Sequence, residues 1–324
     1  MEMMGTVRDK KTYDIIDKIV NKVIVIMSMA SEAEMKPYCI PQLAKPYTNY
    51  DMIQRHTELP PFSDGRGHLL YIFLNHSSSA QGRSEGELYT LVTQLVQLGL
   101  DTHEGIDRLN DVRGEDPMRS RQLKVLAGDY FSSWFYHLLA KSNQIEMVGI
   151  LSKAIADFNV MKANLYVKMR EQILSAEQYL RYMVQLNMRL FLSFSPMIEK
   201  SLVELWEQLL AEISQCETVI AELRRSKDPS NARDSYAYWK ILEYATEDER
   251  QLLQNPSFDE KDWQLLIMKS KSDSILTDKL HQSIQSIQEL LKGINDEHLN
   301  SELGALLDRF LRQMENSGQA AVEG

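Results

Sequence analysis

Arg121-Gln-Leu-Lys-Val-Leu-Ala-Gly-Asp-Tyr-Phe-Ser-Ser-Trp-Phe-Tyr-His-Leu-Leu-Ala140 decides the fold class. Its apolar side chains fall at Leu123, Leu126, Ala127, Tyr130, Phe131, Trp134, Leu138 and Leu139, three and four residues apart. That is the period of a helix with one apolar face, not the alternation of a strand. The same spacing recurs on both sides. Leu88, Leu91, Val92, Leu95, Val96 and Leu98 form one stripe, and Leu202, Leu205, Trp206, Leu209, Ile213, Val219, Ile220 and Leu223 another. Leu280, Ile284, Ile287, Leu290, Leu291 and Ile294 form a late seam, followed by Leu299, Leu303, Leu306, Leu307 and Phe310. No alternating run is long enough for a strand, and no repeat of fixed period occurs. The 324 residues hold only 14 Gly and 9 Pro, short of the usual usage of roughly 7% and 5%. Few turn residues mean long uninterrupted elements, so the chain reads as all-α.

Charge and cysteines narrow the function. Lys and Arg number 36 against 46 Asp and Glu, a net charge of −10. Such a surface repels phosphate backbones, so bulk nucleic-acid binding is not expected. Cys39 and Cys216 belong to no Cys-x-x-Cys pair, which points to a reduced, cytoplasmic setting. The most apolar early run, Ile19 to Met29, is interrupted by Asn21 and Lys22. It falls short of the roughly 20 residues a spanning helix needs.

Three regions are expected. Residues 1–61 hold an N-terminal helix, about Asp9 to Met35, and an extended connector carrying Pro37, Pro41, Pro46, Pro60, Pro61, Tyr38, Tyr47 and Tyr50. Residues 62–315 form the main helical domain, with loops over 77–84 and 227–235. Residues 316–324 form a disordered tail.

The densest polar stretch is Asp101-Thr-His103-Glu104-Gly-Ile-Asp107-Arg-Leu-Asn-Asp111-Val-Arg113-Gly114. On a helix Asp101, Glu104 and Asp107 share a face, and His103 stands one turn from Asp107. Clustered helix carboxylates suit hard cations such as Mg²⁺. The plainer alternative is a solvated helix end with Leu100, Ile106 and Leu109 turned inward. His103-Glu104-x-x-Asp107 is not a zinc-protease motif, which needs imidazole at both i and i+4. Further on, Arg119, Arg121 and Lys124 lead into the apolar helix containing Gly128-Asp129. Glycine inside a helix costs about 1 kcal/mol relative to alanine and marks close helix packing. Asp129, on what reads as an apolar face, needs a basic or backbone partner, or a task. Tyr130, Phe131, Trp134, Phe135 and Tyr136 read as core or as the wall of an apolar pocket. No Gly-x-Ser-x-Gly elbow and no Gly-rich phosphate loop occurs.

In this order and spacing the two polar segments resemble the chain-elongating prenyl diphosphate synthases. That all-α family carries two Asp-Asp-x-x-Asp motifs. Arg-Arg-Gly follows the first, and then Gly-Asp-Tyr/Phe-Leu on the next helix. Aligned back from Arg113-Gly114, the first motif falls on His103-Glu104-Gly105-Ile106-Asp107, and only its third Asp survives. The Arg pair becomes Val112-Arg113, and Gly128-Asp129-Tyr130 is retained. Leu100 to Glu104 together with Arg121 to Phe131 is similar, more specifically, to component I, the small-subunit family of bacterial heptaprenyl diphosphate synthases. The resemblance is close over about 88–140 and extends by pattern over 62–312. No second Asp-Asp-x-x-Asp occurs. The helix Leu202 to Leu223, where it would fall, offers Ser214-Gln-Cys-Glu217. The family's Gly-Lys-Arg-x-Arg-Pro is echoed only by Gly65-Arg66-Gly67-His68, and its Lys-Thr pair is absent from Tyr179 to Phe194.

The resemblance implies an isoprenoid-synthase-like helical bundle that is inactive by itself. Prenyl transfer ionises an allylic diphosphate, and carboxylate-held Mg²⁺ stabilises the leaving charge. An imidazole in one cluster and the loss of the other leave too few hard ligands. No metal or cofactor is therefore expected on this chain alone, and Mg²⁺ is expected at a catalytic partner. The implied partner is the large subunit, component II, with intact motifs. Farnesyl diphosphate and isopentenyl diphosphate are the implied substrates of the complex, and its product the menaquinone side chain. The small subunit would aid allylic binding and product-length control, meeting the membrane only peripherally, through product. No catalytic residue is expected here. Arg113 and Lys124 are candidates for a diphosphate contact, Asp107 and Asp129 for fixing those bases, and Tyr130 for the same site. Gly128 is a packing residue, and His103, Glu104 and Asp107 form the degenerate motif. Two rivals stand beside this reading. One is a helical scaffold that binds no prenyl substrate. The other is an independently active isoprenoid enzyme, against which the missing second motif speaks.

Overall fold

A computed structural model describes residues 37–319, apart from 57–58, 61, 63, 77–79, 107–114, 172, 228–232 and 255–259. Every regular element among the described residues is helical. The chain divides into two compact units, Met1–Gly149 and Ile150–Gly324. The helix expected over Asp9 to Met35 lies outside the described residues.

The first unit contains α1 (Ile40–Thr48), α2 (Asp51–His56), α3 (Asp64–Asn75), α4 (Ala80–Glu104) and α5 (Glu115–Lys141). An extended connector was expected over 37–61, but α1 and α2 lie there. Pro41 sits in the first turn of α1, where its missing N–H costs nothing. Ile40, Ala44 and Tyr47 then line one buried face, and that burial outweighs the interior Pro46. The helix α4 starts at Ala80, inside the loop expected over 77–84.

The pair of α4 and α5 is the most extensive in this unit, with α1 and α3 packed on α4 and α2 on α5. Leu91, Val92, Leu95 and Val96 are fully buried, as their spacing predicts. The other side of α4 is buried too, although Glu87, Thr90, Thr93, Gln94 and Gln97 lie there, while the buried Thr102 falls in line with Leu91, Leu95 and Leu98. Thr90, Thr93 and Thr102 satisfy their hydroxyls by donating to the carbonyls of Gly86, Tyr89 and Leu98 one turn back. Gly67 of α3 leaves room for the Gln94 amide, which a Cβ there would overlap. On α5, Ala127, Phe131, Trp134, Leu138 and Leu139 are buried, but Leu126 is 61% exposed. The buried arc centres on 127, 131, 134 and 138, and Leu126 lies outside it.

The second unit contains most of α6 (Ile145–Arg170), then α7 (Ala176–Leu192), a 3₁₀ turn (Ser195–Met197), α8 (Val203–Arg225), α9 (Tyr236–Tyr244), α10 (Glu247–Gln254), α11 (Glu260–Ser270), α12 (Ser272–Lys292) and α13 (Glu297–Gln319). A capping box opens α7: the Ser175 hydroxyl accepts from Gln178 N–H, and the Gln178 side chain accepts from Ser175 N–H. Lys271, at φ 54°, is the single residue between α11 and α12. The core of this unit joins Trp206, Leu209, Leu210 and Ile213 of α8 with Leu276, Leu280 and Ile287 of α12. Helix α13 carries on to Gln319, past Asn316, where a disordered tail was expected. Residues 320–324 lie outside the described residues.

Candidate functional site

The degenerate motif sits where α4 ends. Gly99 and His103 are one turn apart, so both face α5. A Cβ on Gly99 would stand 2.8 Å from the Gly128 carbonyl oxygen and 3.0 Å from the Ser132 nitrogen. The two backbones therefore touch, and only glycine at 99 permits it. The His103 ring lies over Gly128, where a Cβ would come within 2.6 Å of Nε2 and 2.8 Å of Cδ2. Gly128 is the seat for an imidazole. His103 Nε2 stands 3.3 Å from Asp129 Oδ1.

The remaining candidates fall at different places. Asp129 was expected on an apolar face, but its side chain is 69% exposed. It follows the buried Gly128 by one position and so points well away from the core. Its partner is an imidazole rather than an Arg or Lys. Lys124 Nζ donates to the Gly105 carbonyl at 2.7 Å. A cation there complements the negative end of α4, so Lys124 is already engaged. Asp101 accepts from Gln97 Nε2 at 2.7 Å. Helix α4 stops at Glu104 and the chain turns at Gly105 and Ile106, so the helical face that carries Asp101 and Glu104 ends there. Asp107 and Arg113 lie outside the described residues.

Tyr130 points to the other side of α5. It packs with Leu59 and Phe62 on the buried cluster of Ile53, Leu98, Ala127 and Phe131. Its ring stands 5.9 Å from Tyr50 and 5.8 Å from Trp134, and burial raises its phenol pKa. Deeper in, the Tyr47 phenol is pushed up to about 12 by burial and by Tyr130. Arg66, in the echo of the diphosphate-gripping segment, is only 3% exposed.

In the second unit, α8 occupies the place expected for a second acidic motif. Ser214 and Cys216 are fully buried there, and burial pushes the Cys216 thiol up to about 12. Sequence reasoning passed over the buried acid of this helix, Glu222. Its Oε1 accepts from the Tyr179 hydroxyl at 3.0 Å, and its Oε2 accepts from Tyr236 N–H at 2.6 Å. Arg225 Nη1 lies 3.7 Å from Glu222 Oε1 and donates to the Tyr179 oxygen at 3.1 Å. Burial raises the Glu222 pKa although these donors and Arg225 oppose it. The group ties α7, α8 and the start of α9 together. A hint was available, since Glu222 sits between Val219 and Leu223 on the apolar stripe.

Among the described residues, no three His, Cys, Asp or Glu side chains stand so as to hold a metal ion. The described part of the motif, with His103 turned to Asp129 and Lys124 beside it, does not fit Mg²⁺.

This arrangement of helices is that of the polyprenyl diphosphate synthase fold. The geranylgeranyl pyrophosphate synthase of Lactobacillus brevis aligns with TM-score 0.60 at 13% identity over 93% of this chain and 98% of its own. The decaprenyl diphosphate synthase of Rhodobacter capsulatus aligns with TM-score 0.57 at 13% identity over 93% and 97%. Within that fold, the family model described as heptaprenyl diphosphate synthase subunit 1 matches residues 50–228. The chain belongs to that family. Heptaprenyl diphosphate synthase component 1 of Geobacillus stearothermophilus is 40% identical over 90 residues, 28% of this chain. That match spans about two fifths of the curated relative, 39% of its length. Among the described residues no helix is long and apolar enough to cross a membrane.

Proposed function

We propose that this chain is the non-catalytic subunit of a heterodimeric long-chain polyprenyl diphosphate synthase. The complex extends farnesyl diphosphate with isopentenyl diphosphate to a heptaprenyl chain for menaquinone. Its partner is a large subunit with intact aspartate motifs, which holds the Mg²⁺. This chain aids allylic binding and sets product length, and the pair works in the cytoplasm, touching the membrane only through its product.

The observation that carries the reading is the state of the motif at the end of α4. His103 and Glu104 replace its first two acids, and the imidazole is bound across to α5. Ionising an allylic diphosphate needs several hard oxygen ligands around the cation. The candidate diphosphate bases are Arg113 and Lys124, and Lys124 gives one of its three donors to the Gly105 carbonyl. Helix α5 also leaves Met118, Leu126 and Tyr136 exposed. Apolar side chains gathered on one helix are the kind of surface an assembled subunit covers.

The test is assembly. On a sizing column with Mg²⁺ and farnesyl diphosphate, this chain and an intact-motif large subunit are expected to co-elute. Farnesyl diphosphate is also expected to raise the thermal midpoint of the mixture. Separate elution with no thermal shift would favour the scaffold that binds no prenyl substrate.

A further inference from the structure

We propose that His103 has exchanged the cation-ligand role implied by its place in the motif for that of an interhelical clasp. Its ring covers Gly128 and its Nε2 meets Asp129, so α4 and α5 are fastened at the point where the motif would hold Mg²⁺. The inference rests on the family reading only for what position 103 would otherwise do.

Three features of the corner make the clasp. Gly99, one turn before His103, brings the backbones together, with a Cβ there only 2.8 Å from the Gly128 oxygen. Without that approach a side chain as short as histidine could not lie across α5. Gly128 then supplies the seat, since any Cβ there would stand within 2.6–2.8 Å of three ring atoms. Asp129, next in sequence, places a carboxylate oxygen 3.3 Å from Nε2. Nε2 can donate to it whether the ring is neutral with its proton on Nε2 or fully protonated.

The same corner opposes a divalent cation. The Lys124 ammonium is fixed on the Gly105 carbonyl at 2.7 Å, one residue beyond Glu104. A positive charge held there repels Mg²⁺. Restoring an acid at 103 would not rebuild the site. That acid would meet Asp129 without the N–H that now fills the contact, and the Lys124 ammonium would still stand beside it against a cation. The change from acid to imidazole is therefore not undone by one substitution.

The test uses the full chain. Thermal unfolding is compared for wild type, His103→Ala, Asp129→Ala and the double variant, and Mn²⁺ binding is read by electron paramagnetic resonance. Each single variant is expected to lower the midpoint by about 2 °C, because the pair is partly exposed. The double variant should fall no further than the worse single one. In a Gly128→Ala background, which pushes the ring off its seat, the coupling should vanish. Neither wild type nor His103→Asp should bind Mn²⁺ at micromolar concentrations. Additive losses, coupling that survives Gly128→Ala, or micromolar Mn²⁺ binding by His103→Asp would each overturn the clasp. If His103→Asp does not fold, the coupling in the alanine variants still decides. Failure here is separable from failure of the subunit reading, because joint turnover with a large subunit does not depend on what His103 touches.

Discussion

Glu222 shows how the chain uses a buried charge. Its carboxylate takes two strong donors and stands near Arg225, away from water. Removing one partner of such a group leaves the others buried and unmatched. Glu222→Gln keeps one acceptor oxygen but turns an amide N–H toward one of these donors, and is therefore expected to cost about 2 kcal/mol in urea unfolding. The pH dependence has a definite sign. The ordinary value of 4.5 is raised in the folded chain, so the fold binds this proton more tightly than the unfolded chain does. The stabilisation is fully present below 4.5 and is lost as pH rises through the raised value. The gap between wild type and Glu222→Gln should thus narrow as pH rises across that window. A gap that widens would mean the carboxylate is preferred in the fold. Sequence alone exposed His103, Glu104 and Gly128 as unusual residues, because motif spacing is a sequence property. It did not expose the pairing of His103 with Asp129. That contact joins two helices, and only the close packing read from Gly128 hinted at their approach.

At the scale of elements, the two glycines of the α4–α5 crossing should respond differently to the same change. Gly99→Ala drives a methyl group into the Gly128 carbonyl and the Ser132 nitrogen, which cannot move independently of α5. It should destabilise by about 2 kcal/mol in urea. Gly128→Ala meets only the end of the His103 side chain, which can rotate away. The better helix propensity of alanine, about 1 kcal/mol, offsets much of that loss. Equal effects would show that the crossing is not set by backbone contact at Gly99. A third element-scale expectation is that Ser175→Ala, which removes the α7 capping box, costs about 1 kcal/mol. The helices of the apolar stripes were legible because one-sided burial repeats every three to four residues. The connector was misread because prolines in sequence look alike. Pro41 in a first turn and Pro46 inside α1 are distinguished only by the burial of Ile40, Ala44 and Tyr47. The polar stripe of α4 was likewise hidden, since back-bonded threonines look like surface residues until their carbonyl partners are known.

At the scale of the whole molecule, the chain has a polyprenyl synthase fold, and at its described aspartate-motif corner His103 lies on Gly128 and meets Asp129. On the proposed reading, the chain keeps the helices that shape a subunit and gives up the acids that hold the ion. The composition could not reveal this. The sequence has 46 acidic residues, and their number says nothing of whether three of them converge. The spacing of the motif carried that information, and the paths of α4 and α5 account for it physically. The most direct measurement is turnover of farnesyl diphosphate and isopentenyl diphosphate with Mg²⁺, read as product chain length. It is made for this chain alone, for an intact-motif large subunit alone, and for the two mixed. Long-chain product from the mixture only is the predicted result. Robust turnover by this chain alone, or a large subunit equally active without it, would contradict the proposed role.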